Sequence, residues 1–173
     1  MLDNFKNKNI NQLIIDIRDN AGGYLDQTKK IASYFTKKNN IIYSLDNNGK
    51  VTKYKDEDDL YYEFKIIILV NNNTASAAEV FASALKDNNY AKIVGIKTYG
   101  KGKVQHTYSL DSGSLLKYTS SKWLTPKGIC IDQIGITPDY IIENKQTLAK
   151  DGISIIGIED TQKSYAKELL NVK

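Results

Sequence analysis

Two apolar runs, each closed by a polar turn and followed by a helical stretch, constrain this chain more than any other feature. QLIIDIR (residues 12–18) runs into the glycine-containing turn DNAGG (residues 19–23), after which Tyr24, Leu25, Thr28, Ile31, Ala32 and Phe35 recur at three- and four-residue steps. That is the period of one buried helix face. KIIILV (residues 65–70) runs into NNNT (residues 71–74), and an alanine-rich stretch bearing Val80, Phe81 and Leu85 predicts a helix over residues 75–86. AKIVG (residues 91–95) supplies a third short strand. Strands and helices in this alternation predict an α/β domain built on a largely parallel central sheet. Turn residues at DNNG (residues 46–49) and around residues 111–113 predict two hairpins, hence an antiparallel extension. A last helix is expected over about residues 160–170, with Asp160 as its N-cap.

The 173 residues suit one domain. No stretch of about 18 apolar residues exists, and the start has neither an apolar segment nor a small-residue cleavage site, so neither a membrane span nor a signal peptide is visible. The formal net charge of +4 comes from scattered lysines, Arg18 being the only arginine. That pattern reads as a solvated surface and not as a nucleic-acid interface. One cysteine, Cys130, and one histidine, His106, leave no disulfide framework and no Cys- or His-rich metal site. The acidic run DEDD (residues 56–59) reads as a solvated loop before a metal site.

In parallel sheets ligands gather beyond the carboxyl ends of the strands. Ser76 sits at such a strand-to-helix junction, where free backbone N–H groups favour developing negative charge and the Ala77 amide could donate to an oxyanion. The plain alternative is that Ser76-Ala77-Ala78-Glu79 is a capping box, unless Asn73 or Thr74 caps the helix and leaves Ser76 free. A nucleophilic serine needs a base. His106, in an alternating segment, reads as a strand-surface residue; the other candidate is a neutral lysine. Lys101 stands between Gly100 and Gly102, which let neighbouring backbone approach closely, although without further context Gly-Lys-Gly reads as a flexible loop with a solvated lysine. Bringing a lysine from about 10.4 to near neutrality costs roughly 4–5 kcal/mol, which burial can supply. Gln105 could hold the amine without the negative charge that would keep it protonated, and Lys103 shares the same alternation as a decoy. Gly22 and Gly23 could turn backbone N–H groups towards a ligand, or simply form a tight turn. Asp16 and Arg18 could pair at the strand end.

Taken in order, these segments resemble the C-terminal processing (tail-specific) family of serine peptidases. LIIDIRDNAGG (residues 13–23) is similar to its strand ending in D-x-R-x-N-x-G-G, with Ala21 where many members have proline. IILVNNNTASAAEVFASALKD (residues 67–87) is similar to its nucleophile strand, turn and helix, and IVGIKTYGKGKVQ (residues 93–105) to its lysine segment. Residues 111–131, 135–142 and 160–170 resemble its closing segments. The resemblance implies a Clp-protease/crotonase-like superfold with a mostly parallel sheet. It implies Ser76 as nucleophile, Lys101 as general base 25 residues later, Gln105 as the lysine's support, and backbone N–H groups of Ala77 and of Gly22 or Gly23 as the oxyanion hole. It implies no metal or cofactor, protein or peptide substrates with apolar C-termini, and an extracytoplasmic location, and it leaves homo-oligomerisation open. Members usually carry a PDZ domain before the first matching strand, so this chain is expected to be a single catalytic core from a longer protein. Two rivals keep the fold and change the role: a non-catalytic binding module, and a crotonase-like enzyme acting on acyl-thioesters.

Overall fold

The computed structural model describes residues 1–148 and 155–171. Its central sheet is wholly parallel, in the order β1 (Gln12–Asp16), β4 (Lys65–Val70), β5 (Ala91–Gly95), β8 (Tyr140–Ile141). The middle strand shows why. Ile66, Ile68 and Val70 point into one core with Val80, Phe81 and Leu85, while Ile67 and Leu69 point into a second with Ala166 and Leu170. A strand buried on both faces needs apolar residues at every position, and KIIILV has them from its second residue on. Helices α2 (Leu25–Ser33) and α3 (Ala77–Asp87) cover the first face, and α4 (Thr161–Leu169) covers the second.

A second, antiparallel sheet has the order β3 (Lys50–Lys55), β2 (Ile41–Asn47), β7 (Leu115–Leu124), β6 (Lys103–Ser109). Both hairpins expected from the turn residues are present in it. A short helix α1 (Leu2–Asn7) and a small pair, β9 (Lys145–Leu148) with β10 (Ile155–Glu159), were not expected. Asp160 caps α4, accepting from Lys163 N at 2.9 Å. Two expectations need correction. The helix predicted from residue 75 begins at Ala77, because residues 71–76 make a sharp turn. The acidic run is not uniformly solvated: Asp56 is buried, and its carboxylate accepts from Asp58 N and Thr36 Oγ1.

The register puts Asp16 beside Leu69 and Leu69 beside Val94. The three strands therefore end together, and the loops after β1, β4 and β5 meet at one edge of the sheet. These loops carry the glycine pair, Ser76 and Lys101.

Candidate active site

Ser76 is the N-cap of α3, and neither Asn73 nor Thr74 caps it. Its backbone is unlike that of an ordinary cap. An N-cap residue normally sits in the β region, whereas Ser76 has φ 56° and ψ −123°. That combination lies outside the regions open to L-residues and costs about 1–3 kcal/mol. A strained backbone at a strand-to-helix turn is the shape of a nucleophile elbow. The capping box expected from Ser76 and Glu79 is present, with Ser76 N donating to Glu79 Oε2 at 2.8 Å, and Glu79 N also donates to Ser76 O at 2.8 Å. The small neighbours Ala75, Ala77 and Ala78, all buried, let the chain turn this sharply.

Glu79 is fully buried and holds two loops together. Its Oε2 accepts from Ser76 N at 2.8 Å and Lys101 N at 2.9 Å; its Oε1 accepts from Gly100 N at 2.8 Å and from Thr98 Oγ1. One carboxylate oxygen thus pins the backbones of Ser76 and Lys101 side by side. Tyr99 N donates to Thr74 O at 3.0 Å, adding a further tie. On the other side of the loop the indole of Trp123 donates to Lys101 O at 2.8 Å. The flanking glycines are needed for packing: a Cβ on Gly100 would lie 2.7 Å from Gly135 N, and one on Gly102 2.6 Å from Asp132 N.

The Lys101 backbone is therefore fixed on both sides, but its side chain stands in the open. This corrects the expectation of a buried amine: the described residues supply no dry pocket for it. Gln105 is exposed as well, on β6 just past a register shift between Val104 and Gln105. Ser76, Lys101 and Gln105 nonetheless line one cavity of about 240 Å³, together with Gly23, Lys117 and Trp123. Lys103 also reaches it but pairs with Asp132 at 3.4 Å. His106 lies exposed on β6 with its ring beside Tyr118, away from this group.

The glycine turn abuts the nucleophile. A Cβ on Gly22 would fall 2.7 Å from Ala75 O, 2.8 Å from Ala77 N and 2.9 Å from Ser76 Cβ, and its φ of 95° also disfavours any side chain. The Gly22 N–H donates to Asn20 Oδ1 at 2.9 Å, whereas Gly23 N–H and Ala77 N–H have no partner among the described residues. Beside them opens a second cavity of about 290 Å³ with an apolar lining, including Ile15, Ile17, Ile31 and Phe81. Gly22, Gly23 and Ala77 lie in its wall.

Arg18 and Asp16 pair as expected, at 2.6 Å, but Arg18 also grips Asp160 at 2.8 Å and so ties β1 to the start of α4. Burial pushes the Asp16 carboxyl up, yet the Arg18 hydrogen bonds outweigh it and leave Asp16 below the ordinary carboxylate range. The Arg18 hydrogen bond lowers Asp160 likewise. No cluster of three His, Cys, Asp or Glu side chains able to hold a metal occurs among the described residues. Sequence reading gave Glu79 a helix cap only. A carboxylate flanked by Ala78 and Val80, on a helix with no other acid before Asp87, was the available signal that it serves more than the helix end.

Residues 1–142 match the model of Peptidase family S41. A "Probable CtpA-like serine protease" of Staphylococcus saprophyticus is 46% identical over 137 residues, which is 78% of this chain and 28% of the relative. Its counterpart in Staphylococcus haemolyticus is 41% identical over 160 residues, 91% of this chain and 31% of the relative. Among solved structures, the photosystem II D1 C-terminal processing protease superposes with a TM-score of 0.76 at 30% identity, covering 81% of this chain and 36% of that one. The chain thus spans less than a third of the length of these staphylococcal relatives.

Proposed function

Because this chain belongs to peptidase family S41, we propose that it is the catalytic core of a serine peptidase working through a Ser76–Lys101 dyad. The neutral Lys101 amine takes the Ser76 proton as Oγ attacks a substrate carbonyl carbon. The carbonyl oxygen becomes an oxyanion facing the unspent N–H groups of Ala77 and Gly23. The tetrahedral species collapses, the peptide C–N bond breaks, and the leaving amine takes the proton from Lys101. Water, deprotonated by the same amine, then releases Ser76 from the acyl-enzyme. Gln105 holds the amine without adding charge. Since the fold leaves Lys101 open, the bound substrate itself must shed water from it.

The observation that carries this reading is the Ser76 backbone, whose strain a helix cap does not require. The apolar cavity beside Gly22 and Gly23 supports an apolar substrate side chain next to the cleaved bond, in keeping with substrates that have apolar C-terminal tails. An extracytoplasmic site of action rests on the family resemblance; no helix among the described residues is long and apolar enough to cross a membrane. The test is cleavage of a protein with an apolar tail by the full-length protein. Ser76→Ala and Lys101→Ala should each lose more than about 1,000-fold in kcat. Retained cleavage in either variant refutes the dyad.

The openness of Lys101 favours one rival, a non-catalytic binding module. Treatment with a fluorophosphonate separates the two: covalent labelling of Ser76 is expected for the peptidase, and an unlabelled Ser76 for the binder.

A further inference from the structure

Apart from the close approach of Gly22 to residues 75–77, the turn that carries Gly22 and Gly23 has little packing to hold it. Asp19, Asn20, Ala21, Gly22 and Gly23 are all exposed. Its ties to the nucleophile turn are polar. Asn20 O accepts from Ala75 N at 2.9 Å. The remainder converge on one side chain and one carboxylate. Asn71 Oδ1 accepts from Asp19 N at 2.9 Å while Asn71 Nδ2 donates to Asp19 Oδ1 at 2.9 Å, a reciprocal pair that fixes both position and orientation. Asn73 Nδ2 donates to the same Asp19 oxygen at 2.8 Å, and Asn73 N donates to Asn71 Oδ1 at 3.1 Å. Asp19 takes a left-handed backbone, φ 59°, which a short polar side chain tolerates when it has local partners. Arg18, next in the chain, is committed to Asp16 and Asp160, so these amides are the partners that the Asp19 carboxylate has.

We infer that Asn71, through its paired hydrogen bonds to Asp19, is a positioning residue that sets the glycine turn at the correct distance from Ser76. The inference rests on the reading of Ser76 as a nucleophile. Asn71 lies just past the end of β4 and leads into the nucleophile turn, while Asp19 leads into the glycine turn. Their pairing therefore couples the attacking oxygen to the groups that receive the oxyanion. Displacing a donor by about 1 Å costs on the order of 100-fold in rate. Neither Asn71 nor Asp19 touches the reacting atoms, so both act only through that placement.

The test exchanges the two side chains in the full-length protein. Asn71→Asp sets two carboxylates face to face; adding Asp19→Asn restores one amide opposite one carboxylate, and the exposed Asn73 amide, by turning over, presents its Oδ1 to the new N–H group at position 19. Fluorophosphonate labelling of Ser76 should slow about 10- to 100-fold in Asn71→Asp and return to within a few-fold of the parent in the double variant, with thermal midpoints alike. Labelling at the parental rate in Asn71→Asp, or a double variant as slow as the single one, overturns the inference. Should Asn71→Asp not fold, Asn73→Ala, at an exposed position, removes one of the two donors to Asp19 and should slow labelling several-fold; no slowing overturns the inference. If Ser76 in the parent does not react, the peptidase reading has failed, and the inference is judged by amide hydrogen exchange. The Ala75 N–H, which donates to Asn20 O across the two turns, should exchange faster in Asn71→Asp and recover in the double variant, and unchanged exchange overturns it.

Discussion

The two sides of the cavity shared by Ser76 and Lys101 are built to different standards. On the nucleophile side, Ala75, Ala77 and Glu79 are buried, the strained Ser76 turn is tied into a hydrogen-bonded frame, and Gly22 fits with no room for a Cβ. On the base side, the Lys101 backbone is held at its N–H and its C=O, but its amine and Gln105 reach into open solvent from the start of a hairpin whose strand β6 is almost wholly exposed. The contrast separates two requirements of the proposed chemistry. Placing the nucleophile demands rigidity, which the core supplies. Keeping an amine neutral demands dryness, which the described residues do not supply and which bound substrate must add.

Changes on the rigid side should therefore do the most damage. Gly22→Ala forces a methyl group into Ala75 O and Ala77 N at a positive φ; labelling of Ser76 should fall more than about 100-fold, from loss of the oxyanion geometry. A Gly22→Ala variant labelled at the parental rate would break the comparison outright. Glu79→Gln should come next. Each carboxylate oxygen accepts from two donors, so an amide must turn its own N–H groups against one pair. A loss of about 1–3 kcal/mol in stability is expected on denaturant unfolding, along with a large loss of labelling. On the open side, Gln105→Glu should leave the thermal midpoint unchanged, since the position is exposed, and slow cleavage at neutral pH about 10-fold by favouring the protonated amine. An equal effect on stability and rate would mean that the base side is as tightly built as the other.

The smallest effect is expected far from both. Asp16 and Asp160 hold their protons less firmly in the folded chain than in the unfolded one. Their pairing with Arg18 is thus fully present above the ordinary carboxylate pKa of about 4, and is lost as pH falls through the lowered folded values, where the unfolded chain binds more protons. Arg18→Gln should lower the thermal midpoint by a few degrees at pH 7, and the gap to the parent should close as pH falls through the lowered folded values. Because both carboxylates are partly exposed, salt should narrow the gap as well.

Strands β1, β4 and β5, helices α2, α3 and α4, and both hairpins could be read from the chain, because apolar period, turn chemistry and capping residues are local properties. The same local reading brought Ser76, Lys101 and Gln105 forward as candidates, and they do line one cavity. What lay beyond it were relations between distant segments. Asn20 claims the Gly22 amide, Glu79 reaches across to Gly100 and Lys101, and Asn71 pairs with a residue 52 positions earlier. The left-handed backbone of Ser76 has no signature in a serine flanked by alanines, since the strain is imposed by the segments packed around it. Exposure of the Lys101 amine is likewise invisible in a Gly-Lys-Gly sequence, because solvent access depends on which other parts of the chain come to lie alongside. The amino-acid order alone determined the elements and the chemical groups available to them. Only the tertiary structure decided which N–H groups remain unspent and which charges stay in water, because both depend on neighbours that folding brings together.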